Sequence, residues 1–249
     1  RQLSWDVTAP VEVATSRNWQ SPVIFDESGK GYPAQVTDEG KVLFVADSVP
    51  ACGYRVFWIV DGKEASDDDP LKVSEKRLSN SMISLSLVKR HSGVIGKATL
   101  LSGKEEIQFT KDANRIRIFE DLGDAWTIRY TGREFEKPGL IDSFRILERG
   151  PVKATLEMVS DFRGSRFVRR ISLYRDIPAI FLEYESFWKS NCANAIVKVE
   201  FPVPFEVRRA RFHIPYGSVE RPADGREYPA IEWVTCFHPE KKLGIALLN

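Results

Sequence analysis

The sequence predicts an all-β chain built of antiparallel sheets packed face to face. Three observations predict it. Apolar residues alternate with polar ones in short runs, turn-forming residues punctuate those runs, and no long segment carries a sustained 3.6-residue apolar period. Period two puts alternate side chains on one face of an extended chain, so each run reads as a half-buried strand.

Taken in order, residues up to Gly62 read as an early block of strands. Its turns fall at Glu27-Ser28-Gly29-Lys30-Gly31, at Asp38-Glu39-Gly40 and at Asp61-Gly62. The stretch that follows changes character: Asp67-Asp68-Asp69-Pro70 is acidic and proline-terminated. The expectation is therefore a small β subdomain over residues 1–62, a linker over 63–79, and a large β-sandwich over 80–249 that is truncated at its carboxy end.

Within the larger part, Ile83, Leu85 and Leu87 flank two serines, and Ile116 and Ile118 flank Arg117. Val152, Ala154, Leu156 and Met158 alternate in the same way, and the pattern runs on through Ile171 and Leu173 toward Ile180. Val197, Val199 and Phe201 flank Lys198 and Glu200, while Arg163-Gly164-Ser165 marks a turn. No internal repeat of fixed period is visible.

Composition narrows the function classes. With 249 residues, 43% hydrophobic and 29% charged, the chain can bury a full core. Thirty-six Lys and Arg against 35 Asp and Glu leave a formal charge of +1, no field to gather a nucleic acid or an anionic membrane. The apolar stretches Tyr54–Val60 and Ala179–Leu182 are far shorter than the roughly 20 residues a membrane helix needs. Cys52, Cys192 and Cys236 are odd in number and widely spaced, which argues against a disulfide framework or a CxxC metal clip, and they read as buried reduced thiols. The chain opens at Arg1 with neither Met nor a signal-like segment, which reads as a start inside a longer polypeptide or after processing.

A search for chemistry finds no complete catalytic set. His91, His213 and His238 stand apart, no HExxH or GxSxG pattern occurs, and no metal site is expected within the chain. Glu105-Glu106, Glu120-Asp121 and Asp67 to Asp69 are carboxylate pairs of the kind glycosidases use, but among 35 acids they carry no signal alone.

Two segments are richer. In Phe119-Glu120-Asp121-Leu122-Gly123-Asp124-Ala125-Trp126, a tryptophan sits beside acids on a loop. An indole stacks on the C–H face of a sugar while carboxylates bond its hydroxyls. The alternative is a loop Trp that caps the core. The second segment is Ile214 to Pro222, followed by Glu232-Trp233 and by Gly244 to Asn249. Arg221 precedes a proline that holds its backbone extended, which aims a five-donor fork in a fixed direction. The alternative is an ion pair with a neighbouring acid such as Glu220. Arg221, Glu220, Trp126 and Asp121 are thus the candidate substrate-binding residues.

The second segment, "PYGSVERP" at Pro215 to Pro222, with "EWV" at Glu232 to Val234 and "GIALLN" at Gly244 to Asn249, resembles the carboxy-terminal domain of the glycoside hydrolase family 38 α-mannosidases. The opening resembles the same family in "LSWDVTAPVEV" at Leu3 to Val13, "PAQV" at Pro33 to Val36 and "VPACGYRVFWI" at Val49 to Ile59. Further collinear similarity lies in "NRIRIFEDLGDAW" at Asn114 to Trp126, "ERGPVKATLEM" at Glu148 to Met158, "SRFVRRISLY" at Ser165 to Tyr174 and "VKVEFPV" at Val197 to Val203. The chain departs from the family in a shorter loop after Asp121 and in a compact Ala223 to Pro229 loop that carries Arg226 and Glu227 in place of a longer, tryptophan-containing one.

The resemblance implies an antiparallel supersandwich, similar to galactose mutarotase, preceded by the small β subdomain. It implies a parent with a catalytic domain and a helical domain as this chain's partners, and an α-mannoside as the carbohydrate substrate. Zinc, an aspartate nucleophile and the acid would all lie on the catalytic domain, so this part alone would be inert and would hold no cofactor. The loops at Asp121 to Trp126 and Gly217 to Pro222 would edge the sugar pocket of a retaining enzyme. Other readings are the same family acting on a mannosylglycerate-like small molecule, a stand-alone carbohydrate-binding sandwich with Trp126 and Trp233 as its platform, or an oligomerising structural domain. Homo-oligomerisation stays open, and of the compartments the cytoplasm is favoured.

Overall fold

The computed structural model describes residues 4–62, 70–88, 95–101, 105–124, 126–135, 141–189, 194–241 and 243–249. Residues 63–69 of the expected linker, His91 and Cys192 lie outside them. Every regular element among the described residues is a strand, and every pairing is antiparallel.

The first block holds β1 (Val7–Val13), β2 (Pro22–Asp26), β3 (Gly31–Val36), β4 (Val42–Val49) and β5 (Phe57–Asp61), in the order β1-β4-β3-β2-β5. Ile24, Tyr32, Ala34, Val42, Phe44 and Ala46 fill its core. Its β2–β3 turn is organised by Asp26, whose Oδ1 accepts the Ser28 hydroxyl at 2.7 Å and the Ser28 and Lys30 amides, while Oδ2 accepts from the Tyr32 hydroxyl at 2.8 Å. Arg55 Nη2 reaches the same oxygen at 2.5 Å.

A second sheet, β6 (Lys72–Ser74), β7 (Arg77–Ser79), β8 (Ile83–Leu87), β9 (Ile95–Leu100) and β10 (Glu105–Ala113), is a simple meander. Its first two strands fall inside the stretch expected as linker. Leu78 is why: buried and set against Leu85 across the β7–β8 pair, it ties this segment into the core.

A short sheet joins β11 (Arg115–Asp121), β12 (Tyr130–Glu134) and β17 (Ala195–Glu200) in the order β12-β11-β17. The fourth sheet is β13 (Ile141–Arg149), β14 (Lys153–Phe162), β15 (Ser165–Tyr174) and β16 (Phe181–Phe187). The fifth is β18 (Arg209–Ile214), β19 (Gly217–Pro222), β20 (Trp233–Phe237) and β21 (Gly244–Leu248), ordered β19-β18-β20-β21.

The alternation read from sequence becomes the sandwich itself. Leu78, Leu85 and Ile95 of the second sheet pack on Leu156, Met158, Ile171 and Leu173 of the fourth. Each such side chain withdrawn from water contributes about 1.5–3 kcal/mol. The β14–β15 hairpin closes through Arg163 and Gly164, both in the left-handed region at φ 52° and 77°, as a two-residue turn between twisted strands requires. Asn80 locks one edge: its Nδ2 donates to the carbonyls of Tyr174 and Ile177 at 2.7 and 2.9 Å, and its Oδ1 accepts the amides of Met82 and Ile83 at 2.8 and 2.7 Å.

The outer face of the fourth sheet is less apolar, yet Glu157 is buried there. Burial alone would raise its carboxyl, but hydrogen bonds from Arg145 at 2.7 Å and Arg170 at 2.9 Å overcome it and hold the group below the usual carboxylate range. On the core side, Arg169 is fully buried. Its Nη1 donates to the Asn114 carbonyl at 2.7 Å, and desolvation pulls its pKa down to about 10.

The first block and the sandwich touch directly. Gln35 Nε2 donates to Glu148 Oε1 at 3.3 Å, and its Oε1 accepts the amides of Val152 and Lys153 at 3.2 and 3.0 Å. Beside it, Leu43 packs with Val152, Tyr174 and Ile177. The cysteines differ from expectation: Cys52 is exposed and Cys236 is half-buried, with burial raising the Cys236 thiol pKa.

Candidate functional site

The β11–β12 loop is built by its own acids. Asp121 Oδ1 accepts the amides of Gly123 at 3.0 Å and Arg129 at 2.7 Å, closing the loop neck. Asp124 Oδ1 accepts those of Trp126 at 2.9 Å and Thr127 at 2.8 Å, and these bonds lower its pKa. Gly123 admits no side chain, because a Cβ there would lie 1.7 Å from the Thr127 carbonyl oxygen. The tight frame leaves Trp126 94% exposed, so it does not cap the core. Glu120 is bound to the adjacent strand, by Thr131 at 2.8 Å and Arg133 at 3.3 Å.

The β18–β19 hairpin turns on Pro215 and Tyr216, the latter at φ 63° and fully exposed. Strand alternation sends Glu220 and Arg221 to opposite faces. Glu220 is gripped by Arg211 Nη2 at 3.2 Å and by Arg209 Nε at 3.3 Å. Arg221 pairs with neither Glu220 nor another acid among the described residues. Its guanidinium lies 5.2 Å from the Phe212 ring centroid and 5.3 Å from that of Tyr228, and its Nη1 donates to the Pro229 carbonyl at 2.7 Å. The fork expected to be aimed in a fixed direction holds the far end of the compact 223–229 loop. Within that loop the Tyr228 hydroxyl reaches Asp224 Oδ2 at 3.0 Å, and burial together with Asp224 raises the tyrosine pKa.

Residues beside the two segments singled out by sequence link their surroundings, and of these only Glu227 was noted in the sequence as part of a loop. Tyr130 is the cross-strand partner of Asp121, and its hydroxyl donates to Glu227 Oε1 at 3.3 Å. Lys198 ion-pairs with the same Glu227 and lies 4.6 Å from the Tyr130 ring centroid. Burial alone would lower the Lys198 pKa, but Glu227 and Tyr130 reverse the sign and leave it raised. Behind them, Arg117 binds Glu134 through two nitrogens, at 2.8 and 2.6 Å, and Glu200 at 3.1 Å, which raises the guanidinium pKa. The signal available for Lys198 was its polar place in an otherwise apolar alternation, facing away from the core.

The two histidines among the described residues have local employment. His213 stacks on Trp233, with its Nδ1 3.5 Å from Glu232, and His238 Nδ1 accepts the amides of Glu240 and Lys241 at 3.1 and 3.2 Å. Among the described residues no three His, Cys, Asp or Glu side chains converge as a metal would require.

Fold and site together define an all-β domain with a charged, aromatic loop cluster. Residues 78–249 match the model of the family described as "Glycosyl hydrolases family 38 C-terminal domain", and the chain belongs to that family. The fold is similar to the crystal structure of an alpha-mannosidase from Enterococcus faecalis V583, with a TM-score of 0.67 and 13% identity. That similarity covers 100% of this chain and 36% of the other, so the chain spans about a third of that structure's length. A search of curated proteins finds no match.

Proposed function

We propose that this chain is the carboxy-terminal portion of a retaining α-mannosidase, and that its loop cluster edges a sugar pocket supplied by the parent's catalytic domain. The observation that carries this reading is the meeting of the Asp121–Arg129 and Ala223–Pro229 loops through Tyr130, Glu227 and Lys198, in a chain whose family is glycoside hydrolase 38. The described residues do not fit a zinc ion, and the reading assigns zinc, nucleophile and acid to the catalytic domain. This chain then contributes positioning. Arg221 holds the Pro229 end of one loop, and Asp121 closes the neck of the other. Partners are the catalytic and helical domains of the same polypeptide.

The test is kinetic. In the full-length parent, Arg221→Ala releases Pro229 and lowers turnover of an aryl α-mannoside about tenfold, while the unfolding midpoint holds. Unchanged kinetics would remove Arg221 from the account. The chain on its own turns over none of that substrate. One observation favours a second reading: the nearly complete exposure of Trp126 suits a stand-alone carbohydrate-binding module. Saturable mannoside binding lost in Trp126→Ala would favour it.

A further inference from the structure

The first sheet meets the sandwich with one face, and that face is covered at one end and open at the other. Register carries it across four strands: Val60 lies opposite Val23, Val23 opposite Pro33, and Gln35, two residues further along β3, opposite Leu43. Gln35 and Leu43 are where the sandwich docks, and Leu43 is fully buried. Val23 is 2% exposed. On the edge strand β5 the cover ends, leaving Val60 39% and Trp58 51% exposed, with Val56 and Tyr54 exposed ahead of them in the same alternation.

The composition of β5 is that of a strand buried on both sides. Its other face, Phe57 and Ile59, packs against the core of the first block, so Val56 to Val60 is an unbroken apolar run. Such runs belong to strands covered on both faces, whereas a strand with one wet face alternates apolar with polar. Nor does β5 carry lysine or proline, residues with which exposed sheet edges are commonly blunted.

Size and connection select what covers it. A stable dimer buries about 800 Å² on each partner, more than these four partly exposed side chains supply. A domain of the same polypeptide needs far less, because a short tether already holds it at an effective concentration of about millimolar. Only the Tyr54 hydroxyl and the Trp58 indole N–H can form hydrogen bonds from these side chains, too few to orient a sugar. The chain spans about a third of the length of the similar α-mannosidase structure, so on the reading above most of the parent lies outside it. We propose that the Tyr54–Val60 stripe is an interdomain docking face, covered by the parent's own polypeptide from outside residues 1–249 and continuing the contact that Gln35 and Leu43 begin. This rests on the reading of the chain as part of a longer polypeptide, and not on the reaction that polypeptide performs.

The test uses the full-length parent with Trp58 replaced by the photo-cross-linking residue p-benzoylphenylalanine, irradiated and mapped by peptide mass spectrometry. Intramolecular cross-links to residues beyond this chain are expected. Cross-links between two copies, seen as a dimer-sized band, give the face to a second copy and overturn the proposal. Cross-links confined to residues 1–249, or none at all, also overturn it. Hydroxyl-radical oxidation of the unaltered parent frees the test from the substitution: Trp58 should react at least tenfold more slowly than N-acetyltryptophanamide in the same solution. Half-exposure alone gives about a twofold difference, and a result of that size overturns the proposal. Turnover of the aryl α-mannoside by the same protein tests the reaction separately, since a cross-link beyond this chain in a protein without that activity keeps the docking face and removes the mannosidase.

Discussion

The fourth and fifth sheets have the same number of strands and the same antiparallel pairing, yet they are opposite kinds of object. Along β15 nearly every residue is buried, whereas along β21 four of five are exposed. The fourth sheet is held by what covers it, with the second sheet on one face and the Glu157–Arg145–Arg170 network on the other. The fifth is held by hydrogen bonds along its own strands and by side-chain contacts on its surface. Burial is therefore concentrated in the fourth sheet, which can tolerate no vacancy, whereas the fifth can change its side chains at small cost.

The largest test of that division is Leu156→Ala. The side chain is fully buried between the sheets, and its truncation should cost about 3–5 kcal/mol in urea unfolding. A cost below 1 kcal/mol would mean the sandwich is not the stabilising unit. Next comes Asn80→Ala, which strands four backbone groups at the sandwich edge and should cost about 2–3 kcal/mol by the same assay.

A third test concerns acid and the first block. The Ser28 hydroxyl, foremost, pulls the Asp26 pKa down against the opposing effect of burial, with help from Tyr32 and the Lys30 and Ser28 amides. Because the folded pKa lies below the unfolded one, the stabilisation is whole above about pH 4 and is lost as pH falls toward the folded value. Thermal unfolding at pH 7 and pH 3 should show a smaller acid-induced drop for Asp26→Asn than for the unaltered chain. Equal drops would place the acid sensitivity elsewhere. The smallest effect is expected for Leu247→Ala on the fifth sheet, at 42% exposure, with a loss of about 0.5 kcal/mol. A loss comparable to that of Leu156→Ala would collapse the distinction between the two sheets.

Much of this was legible in the chain because period two survives folding. The alternations at Ile83, Ile116, Val152 and Val197 all lie on strands or at a strand's edge, and Arg163-Gly164 turns where expected. Alternation reports a face but not what lies over that face. It could not say that Arg169, in a run of basic residues, points into the core, nor that the Glu220 and Arg221 side chains part company. The segment "PYGSVERP" falls on the β18–β19 hairpin, and the family match bears out the affiliation. Glu227 was visible in the sequence as part of the compact loop, but its link to Tyr130 and Lys198 appeared only when segments distant in sequence were set side by side.

Gln35 carries a lesson for anyone recombining this chain. Both ends of one amide read the corner between Glu148 and Lys153, so the first block is keyed to a particular segment of its neighbour, not merely tethered to it. A chimera that transplants one part without the matching corner of the other would leave that amide with no lock to fit.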